Sequence, residues 1–249
     1  MIKGLFDSAL GLIPLQKRLE VIANNLANVN TTGFKRDDAF TNQLISASSL
    51  FRDGTTAPTD KDLQEKTFTD FSQGALQQTH SPLDLALNGQ GFFAVQTQNG
   101  VMLTRDGSFS LSTDGTLVNR DGDPVMGVGG PIRISDAQQT QASQLVIQRD
   151  GEVKAGDKVY GQIQVVEPAD LSNLSKAGGN LFSLKDGGTL QQVNPSDTQV
   201  VQGYIEGSNV NPIDEMVAMI QLQSNFESGQ KAIQSQDETL SQANQVGQV

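Results

Sequence analysis

The sequence predicts a mainly β protein with an α-helix at each end: an all-β, hairpin-rich central domain flanked by N- and C-terminal helices that form a coiled-coil segment. Three observations predict it. Apolar residues keep a heptad spacing near the start of the chain and again near its finish. Between Gly74 and Gly203 short apolar runs alternate with Asn-Gly and Asp-Gly pairs, the residues that tight β-turns prefer. Composition is lean, 36% hydrophobic with no Trp and two Tyr, so the core has to be assembled from Leu, Val, Ile and 11 Phe. The expected division is 1–36 as an N-terminal helical assembly segment, 37–75 as an extended connector, 76–205 as the all-β domain and 206–249 as a C-terminal helical assembly segment.

In the first helix Leu5, Leu12, Leu19 and Leu26 recur every heptad, and Ser8, Leu15, Ile22 and Val29 stand three positions further on. Pro14 interrupts this stripe: it has no N–H for the carbonyl of Leu10 and its ring crowds that turn, so a kink or break is expected after Ile13. Gly33 is placed to take the left-handed conformation that ends a helix, with Asn30-Thr31-Thr32 as the fraying turn. The connector that follows is polar, with Asp53-Gly54 and Ala57-Pro58 as turn signals and some strand content.

The β region reads as hairpin after hairpin. Runs such as Leu83–Leu87, Phe92–Gln96, Met102–Thr104, Leu145–Ile147, Ile163–Val166 and Val200–Ile205 are separated by Asn88-Gly89, Asn99-Gly100, Asp106-Gly107, Asp114-Gly115, Asp121-Gly122, Asp150-Gly151 and Asp186-Gly187. Both residues of such pairs tolerate positive φ. In the last helix Pro212 follows Asn211, a good N-cap, and Asp214 and Glu215 occupy the first turn where acidic groups suit the helix dipole. The stripe then runs Met219, Leu222, Phe226, Gly229, Ile233, Gln236, Leu240 and Ala243. Gly229 and Gln236 weaken it, so this helix needs a partner.

Net charge is −11 and the sequence pI about 4.4, which argues against nucleic-acid or membrane-surface binding. The charge is uneven: residues 1–36 carry five basic and two acidic groups, residues 206–249 one basic and six acidic. The two ends are complementary. With no cysteine there are neither disulfides nor thiolate metal sites. Asp7, Lys17, Arg18 and Glu20 fall where a cleavable leader would be apolar or small, so the first residues are expected to stay on the mature chain. No run approaches the length of a membrane span.

Candidate chemistry does not survive comparison with plainer readings. Asp121-Gly122-Asp123 lacks the third carboxylate and closing Glu of a calcium loop and reads as a turn. Arg-Asp-Gly at Arg52, Arg105, Arg120 and Arg149 has no fixed period and marks turns. The single His80, beside Ser81, has no third partner or oxyanion site. Gly89-Gln90-Gly91 lacks the Lys-Ser/Thr of a phosphate loop, and Asn30-Thr31-Thr32 and Asn173-Leu174-Ser175 meet the glycosylation pattern as short chance matches. Neither a catalytic residue, a cofactor nor a metal is expected. A glycan- or peptide-binding β-domain on a helical stalk is the alternative from another class, and a hydrolase using Asp121 and Asp123 a third.

Three blocks then carry a resemblance. They are Ile22-Ala23-Asn24-Asn25-Leu26-Ala27-Asn28-Val29-Asn30-Thr31-Thr32-Gly33-Phe34-Lys35-Arg36; Pro82-Leu83-Asp84-Leu85-Ala86-Leu87-Asn88-Gly89-Gln90-Gly91-Phe92-Phe93-Ala94-Val95 with Thr104-Arg105-Asp106-Gly107-Ser108-Phe109; and Glu206-Gly207-Ser208-Asn209-Val210-Asn211-Pro212-Ile213-Asp214-Glu215-Met216-Val217. In this order the chain resembles the bacterial flagellar axial proteins of the rod and hook family. Within it the likeness is greatest to the proximal rod branch, through Phe92–Thr97, Asp123-Pro124-Val125-Met126-Gly127 and Gly129-Gly130-Pro131-Ile132, with the distal branch next through Ser224–Glu227 and Ser235–Asp237. The β-region is too short for a hook protein's extra outer domain.

The resemblance implies a non-enzymatic tubular building block of the periplasmic rod. Its terminal helices would pair in the innermost layer, and it would be exported unfolded by the flagellar secretion apparatus. Its partners would be sister subunits, other rod and hook-basal-body subunits and the export apparatus, with neither nucleic acid nor membrane insertion. By the same resemblance, packing falls on Leu12, Leu15, Leu19, Ile22 and Leu26 and on Met219, Leu222, Phe226, Ile233 and Leu240. Asn24, Asn25 and Asn28 would satisfy backbone or neighbouring polar groups, and Gly33-Phe34 would turn the chain outward.

Overall fold

A computed structural model describes residues 2–43, 63–135, 144–185, 188–194 and 197–246. The expected turns at Asp53-Gly54, Ala57-Pro58 and Asp186-Gly187 lie outside the described residues. The chain separates into two compact units: one gathers 1–28, 36–70 and 210–249, the other 29–35 and 71–209. These cut across the expected segments at two places. The motif at 29–35 and residues 206–209 lie in the β unit, while most of the connector lies with the helices.

In the helical unit α1 spans Ile2–Ala27 and α2 spans Pro212–Val246, and the two pack on each other. The break expected at Pro14 is absent, for α1 runs through it. Proline removes one hydrogen bond from a long helix, and leucines on both sides of it keep the helix on its partner. The cap of α2 is as its sequence requires. Asn211 Oδ1 accepts from the Ile213 N–H at 3.1 Å, and Asn211 Nδ2 donates to Asp214 Oδ2 at 2.7 Å. The connector is more ordered than its composition suggests: Asp37–Gln43 and Leu63–Thr69 pair antiparallel, Asp37 opposite Thr69. The Thr69 hydroxyl donates to Asp37 Oδ1 at 2.7 Å, closing the open end of this hairpin.

The β unit is built on a six-stranded antiparallel sheet in the order Leu174–Gly178, Leu181–Leu184, Gly100–Thr104, Phe92–Thr97, Val165–Pro168, Leu190–Gln192. Both faces of its central strand are covered, so Phe92, Phe93, Ala94 and Val95 are all buried and the run does not alternate. Phe92 faces a smaller core with Leu103, Leu174 and Phe182, and Phe71, Phe92 and Phe182 meet edge-on with centroids 5.3 to 5.7 Å apart. Phe93 faces the larger core, with Leu85, Leu117, Val125 and Ile134. Two short pairs bring distant segments together: Gln199–Gln202 with Leu85–Asn88, and Tyr204–Glu206 with Leu76–Gln78.

The Asn-Gly and Asp-Gly pairs mark turns, but not through two left-handed residues. Among the described residues only His80 and Asn180 combine a side chain with positive φ, so within the pairs glycine alone supplies it, as at Gly122 (φ 88°) and Gly151 (φ 86°). The acidic residue has another task. Asp106, Asp114 and Asp150 each accept from the backbone N–H two residues on, the local turn that a short carboxylate closes. In the Asp121 turn Asn119 Oδ1 accepts from the N–H groups of both Asp121 and Asp123.

Removing the Phe93 side chain leaves a cavity between packed layers, so Phe93→Ala should cost about 3–5 kcal/mol in urea unfolding of the full chain. Asp114 makes a second prediction. Arg133 Nη2 lies 2.7 Å from Asp114 Oδ2 and, with donors from Thr116, holds this carboxyl well below the usual carboxylate range. A depressed folded-state pKa stabilises above the ordinary Asp value and is lost as pH falls into strong acid. Carboxyl NMR titration should place Asp114 below the ordinary Asp value, and Arg133→Ala should raise it.

Candidate functional site

The sequence from Val29 to Lys35 leaves the end of α1 and becomes part of the β unit. Gly33 makes this possible. It has φ +68°, and a Cβ there would collide with the backbone at Arg105 and Asp106. Its N–H donates to the Glu206 carbonyl at 2.8 Å. Asn180 Nδ2 donates to the Thr32 carbonyl at 2.8 Å, and Lys176 lies over the buried Phe34 ring while its Nζ donates to the Lys35 carbonyl at 2.6 Å.

At the centre is a buried cluster of three charges. Lys35 Nζ donates to Glu206 Oε1 at 2.6 Å and to the Ser72 carbonyl at 2.6 Å. Arg105 Nη1 donates to Glu206 Oε2 at 3.0 Å and Nη2 to the Gly89 carbonyl at 2.9 Å. The Gly74 N–H donates to Glu206 Oε1 at 2.9 Å, and the guanidinium carbon sits 5.2 Å from the Phe92 ring centre. Lys35 and Glu206 are each 1% exposed. Charges so deeply buried are tolerated only when paired and hydrogen-bonded together, and both carboxylate oxygens of Glu206 are occupied.

The helical unit has its own polar ties. Asn25, buried on α1, donates from Nδ2 to the Asp37 carbonyl at 2.8 Å and accepts from the Asp37 N–H at 3.0 Å, binding the last turn of α1 to the hairpin. Arg36 Nε donates to the buried Glu215 carboxylate at 2.6 Å. That bond raises the guanidinium pKa above its ordinary value against the opposing effect of burial, with Asp38 and Asp70 adding to it.

The residues singled out in the sequence fall as follows. Ile22 and Leu222 are buried, and Leu12, Leu15, Leu19, Leu26, Met219, Phe226 and Ile233 are half-buried. The Leu240 side chain lies outside the described residues. A Cβ on Gly229 would stand 2.7 Å from Leu12 Cδ2, so α2 packs tightly on α1 at the residue read as a weak point of the stripe. Asn28 Nδ2 donates to the Asn24 carbonyl at 2.9 Å, and Asn24 itself is exposed. Periodicity did not single out Lys35, Arg36, Arg105, Glu206 and Glu215. The available signal was their place inside the three motif blocks, one cluster member in each.

Among the described residues no group of three His, Cys, Asp or Glu is placed to hold a metal ion, and no helix is long and apolar enough to cross a membrane. Two units, one of strands and one of the terminal helices, each with its own ion pairs, suit a structural subunit.

Comparison with known proteins gives the family. Profiles described as "Flagella basal body rod protein", "Flagellar hook protein FlgE/F/G D1 domain" and "Flagellar basal body rod FlgEFG protein C-terminal" match residues 8–35, 86–155 and 201–246. Lys35, Arg105 and Glu206 come one from each. A Caulobacter vibrioides protein named flagellar basal-body rod protein FlgF is 38% identical over 216 residues, 86% of this chain and 85% of that one. Proteins named flagellar basal-body rod protein FlgG are 34% identical in Bacillus subtilis, over 96% of this chain and 97% of that one, and 34% in Buchnera aphidicola, over 99% and 100%. The chain belongs to the flagellar basal-body rod family, whose members are structural and not enzymatic.

Glu206→Gln keeps the shape of the cluster but strips two buried cations of their counter-charge. It should cost about 3–5 kcal/mol in denaturant unfolding, whereas the exposed Asp157→Asn should stay within about 0.5 kcal/mol.

Proposed function

We propose that this chain is a proximal rod subunit of the FlgF type, polymerising through its paired terminal helices in a coiled-coil inner layer while the β unit forms the outer body. The observation that carries the reading is the packing of α1 on α2, from opposite ends of the chain, as a unit apart from the β unit. Asn24, Asn25 and Asn28 then serve as polar spacers of the inner layer, and Gly33-Phe34 is the point where the chain leaves it. Export proceeds unfolded through the flagellar secretion system to the periplasmic rod. A chain without cysteine carries no disulfide that would have to open on the way.

Relatives named FlgG at 34% identity over nearly the whole chain favour a second reading, the distal rod. Complementation of strains lacking either rod protein separates the two, because only the matching deletion regains motility.

Removing residues 230–249 shortens α2 by its distal half and leaves every strand in place. The expected outcome is an unchanged thermal transition of the β unit with loss of the chain from purified basal bodies. Normal incorporation of the truncated chain would overturn assembly through the helices.

A further inference from the structure

The two edges of the six-stranded sheet differ. At the Leu174–Gly178 edge the register shifts between Lys176 and Gly178, and Lys176 folds back over Phe34 and onto the Lys35 carbonyl. A bulge and a lysine are devices by which a sheet edge turns away further strands. The other edge, Leu190–Gln192, has neither. From Gly188 to Asn194 the chain holds no charged residue and no proline, and Leu190, Gln191 and Gln192 are all exposed. The register fixes which backbone groups are open. Gln192 lies opposite Val166, Gln191 opposite Glu167 and Leu190 opposite Pro168, while the Val193 N–H donates to the Val165 carbonyl at 3.1 Å and the Thr189 carbonyl accepts from the Ala169 N–H at 3.0 Å. Hydrogen-bonded pairs alternate along an antiparallel ladder. Gln191 therefore bonds inward between these two, and the N–H and C=O groups of Leu190 and Gln192 point outward from the sheet.

Beside this strand lies an open cleft of about 520 Å³. Gln90, Glu167, Gln191, Gln192, Asn194 and Asp197 line it, and the described residues around it include neither lysine, arginine nor an aromatic side chain. That lining selects the occupant. Without a cation it does not hold a phosphate, and without an aromatic face it gives a base nothing to stack on. It offers amide groups, two carboxylates and a row of open backbone donors and acceptors. An extended peptide meets all of these at once, because its main chain continues the ladder while alternate side chains lie along the cleft. Among the described residues no lysine or arginine pairs with Glu167. On an added strand, a side chain opposite Gln191 stands two strand spacings, about 10 Å, from Glu167, a gap that lysine or arginine crosses. A second copy of the same edge is not such a partner, since residues 188–194 hold no basic group to meet Glu167.

We propose that Leu190–Gln192 accepts, as a seventh strand of the sheet, an extended peptide segment of another protein that carries lysine or arginine at alternate positions. The proposal concerns the β unit alone and is independent of the rod reading. The probe is an acetylated, amidated octapeptide of alternating valine and lysine, added to the full-length chain. Hydrogen exchange followed by NMR should show new protection at the Leu190 and Gln192 amides, and the fully N-methylated peptide, which has no backbone donor, should produce none. Gln192→Pro removes an outward N–H and no ladder bond, a substitution that edge strands accept. It should keep the parent's thermal transition and bind the probe about tenfold more weakly, the effect of one lost hydrogen bond. Glu167→Gln should weaken binding by about two- to fivefold, and a valine–glutamate octapeptide should bind less well than the lysine one. Unchanged exchange at Leu190 and Gln192 with millimolar probe, or equal protection by the N-methylated peptide, would overturn the proposal. So would protection of these amides that grows with the chain's own concentration in the absence of probe, which assigns the edge to a second copy.

Discussion

The buried contact of Lys35, Arg105 and Glu206 is the constraint on which the β unit depends. Lys35 and Glu206 are 171 positions apart, and the β unit is incomplete until the segment that follows α1 has been laid into it. Taking three charges out of water costs several kcal/mol per ion, which their attraction offsets only in good geometry with the remaining donors and acceptors satisfied. Glu206 meets that condition through the N–H of Gly74 and two cations, and Lys35 through the Ser72 carbonyl. Such a cluster tolerates few alternative arrangements. Its worth lies in selecting one path for the chain more than in net stability.

Adjacent residues divide the work. In extended backbone successive side chains point to opposite sides, and Lys35 serves the β unit while Arg36 pairs with Glu215 in the helical unit. Some of the complementary charge of the two chain ends is therefore used inside one molecule. The same holds for the apolar stripe: Leu12 meets α2 at Gly229, and Ile22 and Leu222 are buried within one chain. What remains outward on α2 is a different, shorter row at Ile213, Met216, Val217 and Ile220.

Much of the fold was legible because repeated patterns report it. Two heptad stripes showed both helices, and the Asn211-Pro212 start of α2 was readable from its cap. The apolar run Phe92–Gln96 announced a strand, while the covering of both its faces is a matter of the tertiary structure. Other features were hidden for physical reasons. Pro14 looked like a break because local rules count the lost hydrogen bond and not the packing around it. The polar sequence at 37–43 and 63–69 gave weak strand signals, and the hairpin is held by its backbone pairing and, at Asp37, by Asn25. Within the Asn-Gly and Asp-Gly pairs left-handed backbone fell to the glycine, while Asp106, Asp114 and Asp150 were engaged as acceptors.

Among the candidate residues the apolar ones could be found, for regular spacing along a helix marks its buried face without reference to any distant residue. The charged ones could not. The chain has 17 basic and 28 acidic side chains, nearly all compatible with solvent, and nothing in the identity of Glu206 separates it from the rest. By itself the sequence determined the helices at the two ends and the β character between them, because those follow from local periodicity and composition. Only the tertiary structure decided which lysine, arginine and glutamate are buried together and which side of α2 is left open. Both depend on distances between residues far apart in the chain, set by closure of the whole fold and carried by no local pattern.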